Sequence, residues 1–177
     1  MINNKTYNNV INTLKNLGVQ HHQITTVTTG DIFDIDLEKN TKFPLMHINP
    51  VNVTTGQSQL NYNFQIFVMD LVSEKEDWTD ANFQSADKLS NSQEVLSQCL
   101  QISVDLISML RHSLHQSAQG TNDVNFPLYF TEGEFTIEPF TERFDNELTG
   151  WVFTISVITH NDFDACAMPV VSEGAGE

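Results

Sequence analysis

The segment that most constrains this chain runs from Leu60 to Val72. Leu60, Tyr62, Phe64, Ile66 and Val68 fall at every second position, the period of a strand with one face on a core and the other toward water. From Phe67 onward the second face turns apolar too, through Met69 and Leu71, so the second half is expected to be covered on both sides. The usual strand has about five or six residues. A strand this much longer predicts a hairpin that extends past the body of the domain, where it commonly meets a neighbour.

The flanking patterns fill in a mixed fold. Tyr7, Val10, Ile11, Leu14 and Leu17 recur at helical spacing, with Gly18 placed to end the helix. After a Thr-rich connection, Phe33, Ile35 and Leu37 alternate with Asp34, Asp36 and Glu38, which predicts a half-buried strand. Phe43 to Ile48 reads as a second short strand, which Pro44 restricts to a sheet edge or a strand start. Asn49 to Ser58, with Pro50 and Gly56, reads as an extended polar loop. Beyond the long strand, Ser73 to Asn91 is expected to be an ordered polar crossing anchored by Trp78 and Phe83.

A second helix opens near Ser90 or Asn91, each followed three residues later by Gln93 or Glu94. Its apolar residues, from Val95 through Leu114, surround most of the circumference, which predicts burial on nearly every side. Leu128 to Phe130, Phe135 with Ile137, and Trp151, Phe153, Ile155 and Val157 supply the last strands. The order is α, β, β, long β, α, then two or three β. This is an α+β fold with helices packed on a mostly antiparallel β-sheet. No internal repeat and no linker divides it, so residues 1–167 are expected to form a single domain and 168–177, rich in Gly, Ser and Glu, a flexible C-terminal tail.

Composition then narrows the function. With 177 residues, of which 40% are hydrophobic, the chain can build a core without disulfides or metals. Its 23 acidic and 8 basic residues give a formal charge of -15, which repels nucleic acid and anionic lipid. A nucleic-acid reader is therefore not expected; the same charge suits solubility, or a surface that DNA must pass without adhering. Cys99 and Cys166 have neither metal spacing nor a disulfide-framework pattern, and reduced thiols are expected. The N-terminal Met1 to Lys5 lacks an apolar signal core and no run is long enough to span a membrane, so a cytoplasmic site of synthesis is expected.

Several residue groups invite chemistry, and each has a simpler reading. His160, Asp162, Asp164 and Cys166 lie two apart and would share one face of a strand as zinc ligands, but they also read as a solvated strand end. His21 and His22 are adjacent, so their side chains splay apart rather than converge on a metal. Asp31, Asp34 and Asp36, and Glu132, Glu134 and Glu138, lack the glycine and terminal glutamate of a calcium loop. His112 and His115 suit the negative end of the second helix. No nucleophile elbow, phosphate loop or His-Glu-x-x-His stretch is present, so no catalytic, cofactor or metal residue is assigned.

One resemblance adds to this. Gly133 to Phe140, then Glu142-Arg143-Phe144-Asp145-Asn146 and Gly150-Trp151-Val152-Phe153-Thr154-Ile155, resemble stretches of small virion proteins of tailed phages; Pro44 to Ile48 and Asn61 to Asp70 are similar in kind. The order of elements over about residues 5 to 165 is similar to the group of tail terminator, tail completion and head-to-tail connector (neck) proteins. That resemblance implies helices on a sheet with a long projecting hairpin, and a homo-oligomeric ring, often six-fold, in the virion. The ring would contact neighbouring neck and tail-tube proteins, and DNA would pass through it without sequence-specific binding. It implies no enzyme activity, no cofactor and no membrane. Intersubunit contacts are expected at Asn49, Pro50, Asn52, Gly56, Tyr62, Phe64, Ile66 and Phe67. Two other classes remain open: a metal-dependent enzyme built on His160, Asp162, Asp164 and Cys166, and an acidic host-directed inhibitor whose surface mimics nucleic acid.

Overall fold

A computed structural model describes residues 7–31, 41–72, 91–116, 131, 133–141 and 148–160, with main chain alone at 113–116, 141 and 160. Within them lie two helices and five strands: α1 (Tyr7–Gln20), β1 (Thr26–Thr29), β2 (Leu45–Thr55), β3 (Gln59–Leu71), α2 (Ser92–Gln116), β4 (Ile137–Thr141) and β5 (Leu148–His160). The strands form one sheet in the order β1-β2-β3-β5-β4, with β1 parallel to β2 and every other pair antiparallel. The expected α+β class with a mostly antiparallel sheet is what the chain adopts.

Strand alternation decides which residues reach which face. Met46 and Ile48 of β2, Tyr62, Phe64, Ile66 and Val68 of β3, and Phe153, Ile155 and Val157 of β5 share one face. Val10, Ile11, Leu14 and Leu17 of α1 and Val95, Cys99, Ile102, Leu106 and Leu110 of α2 pack onto them as one core. The opposite face carries a smaller cluster of Leu45, Phe67, Met69, Phe140 and Leu148, with Phe67 and Phe140 meeting edge-on at 5.7 Å. This two-sided burial follows the change at Phe67 that the β3 pattern predicts, since Phe67 and Met69 are buried while Asn61, Asn63 and Gln65 are only half-buried.

Side-chain ties fix the layers. The Trp151 indole N–H on β5 donates to the Leu96 carbonyl in the first turns of α2 at 2.7 Å. Ser103, fully buried, donates to the Cys99 carbonyl one turn earlier at 2.8 Å, which satisfies a hydroxyl that the core would otherwise strand. Arg111 stacks over Phe135 at 4.9 Å and donates to the Gly133 carbonyl at 3.2 Å, binding the end of α2 to the approach to β4. The Val95 N–H bonds the Asn91 carbonyl at 3.0 Å, so the helix opens at Asn91 as its sequence predicts.

Four sequence expectations are corrected. Gly18 does not end α1, which continues to Gln20. A Cβ at Gly18 would lie 2.5 Å from Met46 Sδ and 2.8 Å from Val27 Cγ2, so glycine serves close approach of the helix to the sheet. The Thr-rich connection is itself strand β1, pairing Thr26 to Thr29 with Leu45 to Ile48. The stretch Asn49 to Thr55 is not a loop but the second half of β2, leaving only Gly56 to Ser58 as the turn. β1 has ended by then, so among the described residues no strand pairs with the outer side of Pro50, where its missing N–H costs nothing, and a bulge between Pro50 and Asn52 absorbs the irregularity.

The fourth correction concerns α2, which is not buried all round. Val95, Cys99, Ile102, Leu106 and Leu110 make one buried stripe, whereas Leu96, Leu100, Ile107 and Met109 are half-buried and Val104 is 43% exposed. One sheet face and one neighbouring helix cannot cover a whole cylinder, so the remaining apolar residues flank the stripe. β2 begins at Leu45, directly after Pro44 and two residues later than the expected start at Phe43, and the Phe43–Pro44 peptide bond is cis. The predicted strand Phe33 to Leu37, the crossing from Ser73 to Ser90, the strand Leu128 to Phe130 and the tail 168–177 lie outside the described residues.

Candidate functional site

The metal-ligand candidates do not come together among the described residues. No group of three or more His, Cys, Asp and Glu side chains there is arranged to hold a metal ion. His21 Nδ1 accepts the Gln23 N–H at 3.3 Å, which leaves its Nε2–H to donate to Asp105 Oδ2 at 3.5 Å. Gln101 donates to the other Asp105 oxygen at 2.9 Å, so this His–Asp pair is a tie between the end of α1 and the middle of α2. His22, Asp31, His112, Glu134 and Glu138 are exposed on separate elements. Asp34, Asp36, Glu132, Asp162, Asp164 and Cys166, and the side chains of His115 and His160, lie outside the described residues.

Three groups have shifted protonation for reasons of packing. Burial pushes the Cys99 thiol up to about 12, and the charge of Asp70 adds to the effect. The thiol is held in its unreactive form. Asp70, at the end of β3, is itself raised by burial, partly offset by its bond from the Leu71 N–H at 2.7 Å. Burial also raises the Tyr62 phenol.

His47 has a role that sequence reasoning did not assign. It is 1% exposed, and its Nε2 lies 3.1 Å from the Gly30 carbonyl, which can only accept, so Nε2 carries the proton. Nδ1 then accepts from the Thr28 hydroxyl at 2.8 Å. The side chain thus bridges β2 to β1 and to the residue that follows β1. A histidine within the apolar run Leu45 to Ile48 was the available signal, since a buried imidazole requires partners nearby.

The remaining candidate is the far half of the β2–β3 hairpin, and here the expected contact residues separate into two sets. Tyr62, Phe64, Ile66 and Phe67 are buried in the chain's own core, at 5%, 1%, 1% and 5% exposure. They shape the hairpin from beneath and have little surface to offer a neighbour. Asn49 and Pro50 are half-buried, and Val51 through Gln59, which include Asn52 and Gly56, are exposed throughout. Cross-strand amide bonds hold this half together, Asn49 to Gln65 at 3.3 Å and Asn63 to Asn52 at 2.6 Å. On the helix side Tyr7, 45% exposed, stacks near Tyr62 and Phe64 with Val53 alongside, itself 46% exposed.

The electrostatics of this surface differ from those of the chain as a whole. From Phe43 to Met69 there is no Asp, Glu, Lys or Arg, on a chain with a formal charge of -15. Among the described residues the β2 edge beyond Ile48 has no strand beside it. An exposed, uncharged edge rich in Val and Thr is the kind of strand that pairs with another, because it presents main-chain donors and acceptors without like-charge repulsion. Among the described residues no helix is long and apolar enough to cross a membrane. No protein-family model matches the chain, and no curated protein is similar to it.

Proposed function

We propose that the chain is a structural virion protein of a tailed phage, assembling into a homo-oligomeric ring at the head–tail junction or the top of the tail, through which DNA passes. The observation that carries this reading is the uncharged, exposed end of the β2–β3 hairpin on an otherwise strongly acidic chain. Copies with a charge of -15 repel one another over most of their surface, so association is favoured where charge is absent. The rest of the acidic surface would keep passing DNA from adhering.

In this reading the hairpin is the long projecting arm of a tail-terminator-like fold. Asn49, Pro50, Asn52 and Gly56 lie at or beside the contact, and Tyr62, Phe64, Ile66 and Phe67 hold the arm rigid from the core. Neighbouring neck and tail-tube proteins are the other partners, and the virion is the location. Imaging of phage particles that lack this gene product tests the reading: heads and tails are expected to accumulate unjoined or with unterminated tails. Normal, infectious virions without the protein refute it.

A further inference from the structure

The outer edge of β2 beyond Ile48, which no described strand pairs with, has a hydrogen-bonding pattern that selects its partner. The turn is closed by the Gly56 N–H bonding the Gln59 carbonyl at 2.8 Å, and the ladder above it pairs Thr55 with Leu60, Thr54 with Asn61 and Val53 with Tyr62. Bonded and non-bonded pairs alternate in an antiparallel ladder. Thr54 is therefore bonded to β3, whereas the N–H and C=O groups of Val53 and of Thr55 point away from it, toward the open edge. Counting from the other end agrees once the bulge between Pro50 and Asn52, which reverses the alternation, is included. The Ile48 carbonyl accepts the Gly30 N–H on the β1 side at 3.1 Å, which turns Pro50, two residues on, to that same outer side. The usable edge is thus bounded by Pro50 and its bulge at one end and by the turn at the other.

We infer that this edge pairs with the same edge of a second copy of the chain, antiparallel about a two-fold axis at Thr54. The pattern is self-complementary. Val53 of one copy exchanges both main-chain bonds with Thr55 of the other, Thr55 does the same with Val53, and the two Thr54 residues face one another as a non-bonded pair. The sheet then continues across both copies, and the contact closes on itself rather than propagating, because each copy spends the same edge. Of the two outer strands, β4 carries Glu138 and Pro139 and is unsuited to pairing between acidic copies, and β1 is uncharged but only four residues long. The neutrality of Phe43 to Met69 favours a second copy over a charged partner, since it offers two acidic copies a long stretch without like-charge repulsion, whereas approach at β4 brings Glu138 of both together.

This inference rests on the assembly role proposed above and names its partner and bonds; a ring built with it holds an even number of copies or stacks on a second ring. The test is sedimentation velocity on the full chain, with two variants that leave the β3 ladder intact. Val53→Pro removes an outward N–H only, and Thr55→Lys puts a charge on the edge without touching the backbone. The wild type is expected to form a reversible dimer in the micromolar range, tightened by added salt as repulsion is screened. Both variants, still folded by circular dichroism, are expected to associate about tenfold more weakly or worse. In a Cys166→Ser background, Thr54→Cys is expected to cross-link into a dimer on mild oxidation, because facing non-bonded residues lie about 4.5 Å apart between Cα atoms. A wild type that stays monomeric in high salt overturns the inference, as does a Thr54→Cys chain that fails to cross-link or variants that dimerise like the wild type. Protection of the edge only by a different phage protein also overturns it. Any of these results leaves the virion role standing if particles lacking the protein still fail to join, whereas normal particles remove that role without touching a dimer seen in solution.

Discussion

Replacing Gly150 by alanine probes how closely the two longest strands approach. Gly150 sits on β5 opposite Met69 of β3, between the buried Thr149 and the cluster of Phe140, Met69 and Leu148. A Cβ there would lie 2.8 Å from Met69 Cα and 2.9 Å from the Val68 carbonyl carbon, and nearer still to the Val68 oxygen. Ordinary contact begins at 3.4 Å, and the obstructing atoms are backbone, which no rotamer change can move. The strands must part locally. Overpacking of this kind costs roughly 1–3 kcal/mol, and each weakened ladder bond adds about 0.5–1.5 kcal/mol.

A total of about 3 kcal/mol corresponds to a fall in Tm of about 6–12 °C for a chain of this size. Thermal and urea unfolding followed by circular dichroism measure it, with Gly56→Ala as the control. At Gly56 the nearest atom to a new Cβ is the Gln59 oxygen at 3.7 Å, an ordinary contact, and the change is expected to stay within about 0.5 kcal/mol. A Gly150→Ala protein that melts within about 2 °C of the wild type would refute the close-approach reasoning.

Three further outcomes are expected. The Cys99 thiol, held up to about 12, should resist alkylation by iodoacetamide at mild alkaline pH and react once urea unfolds the chain. Because its folded value is raised, the stability it contributes is complete below the ordinary thiol value of 9.0 and is lost as pH rises from there toward about 12, which urea melts across that window detect. His47→Leu leaves the Thr28 hydroxyl and the Gly30 carbonyl without the imidazole and should cost about 1–3 kcal/mol; hydrogen exchange would show β1 opening first. Trp151→Phe removes the bond to the Leu96 carbonyl and should cost about 0.5–1.5 kcal/mol in urea unfolding.

How much of the site could be read beforehand depends on how local its cause is. The hairpin residues expected to meet a neighbour illustrate both cases. Asn52 and Gly56 are exposed, as a polar stretch near a turn predicts, although Asn52 lies in strand β2 rather than in the expected loop. Tyr62, Phe64, Ile66 and Phe67 belong to the core, because α1 and α2 cover one face of β3 and the Leu45–Phe140–Leu148 cluster covers the end of the other. His47 went unassigned because its partners, Thr28 and Gly30, come from a strand that reads as connection.

The sequence alone determined the period of β3, the alternation of Trp151 to Val157 on β5, the stripes of α1 and α2, and hence a sheet covered by helices. Those are local properties, set by the two-residue and 3.6-residue repeats of the backbone. Only the tertiary structure decided that Thr26 to Thr29 is a strand, that β2 runs on through Pro50, and that Gly18 belongs inside a helix. Each depends on what lies beside the residue: a four-residue strand is stabilised by its neighbour, a proline is tolerated where the edge is open, and a glycine is required where another element comes close. The same neighbour relations determine that, among the described residues, no strand pairs with the outer edge of the uncharged half of β2.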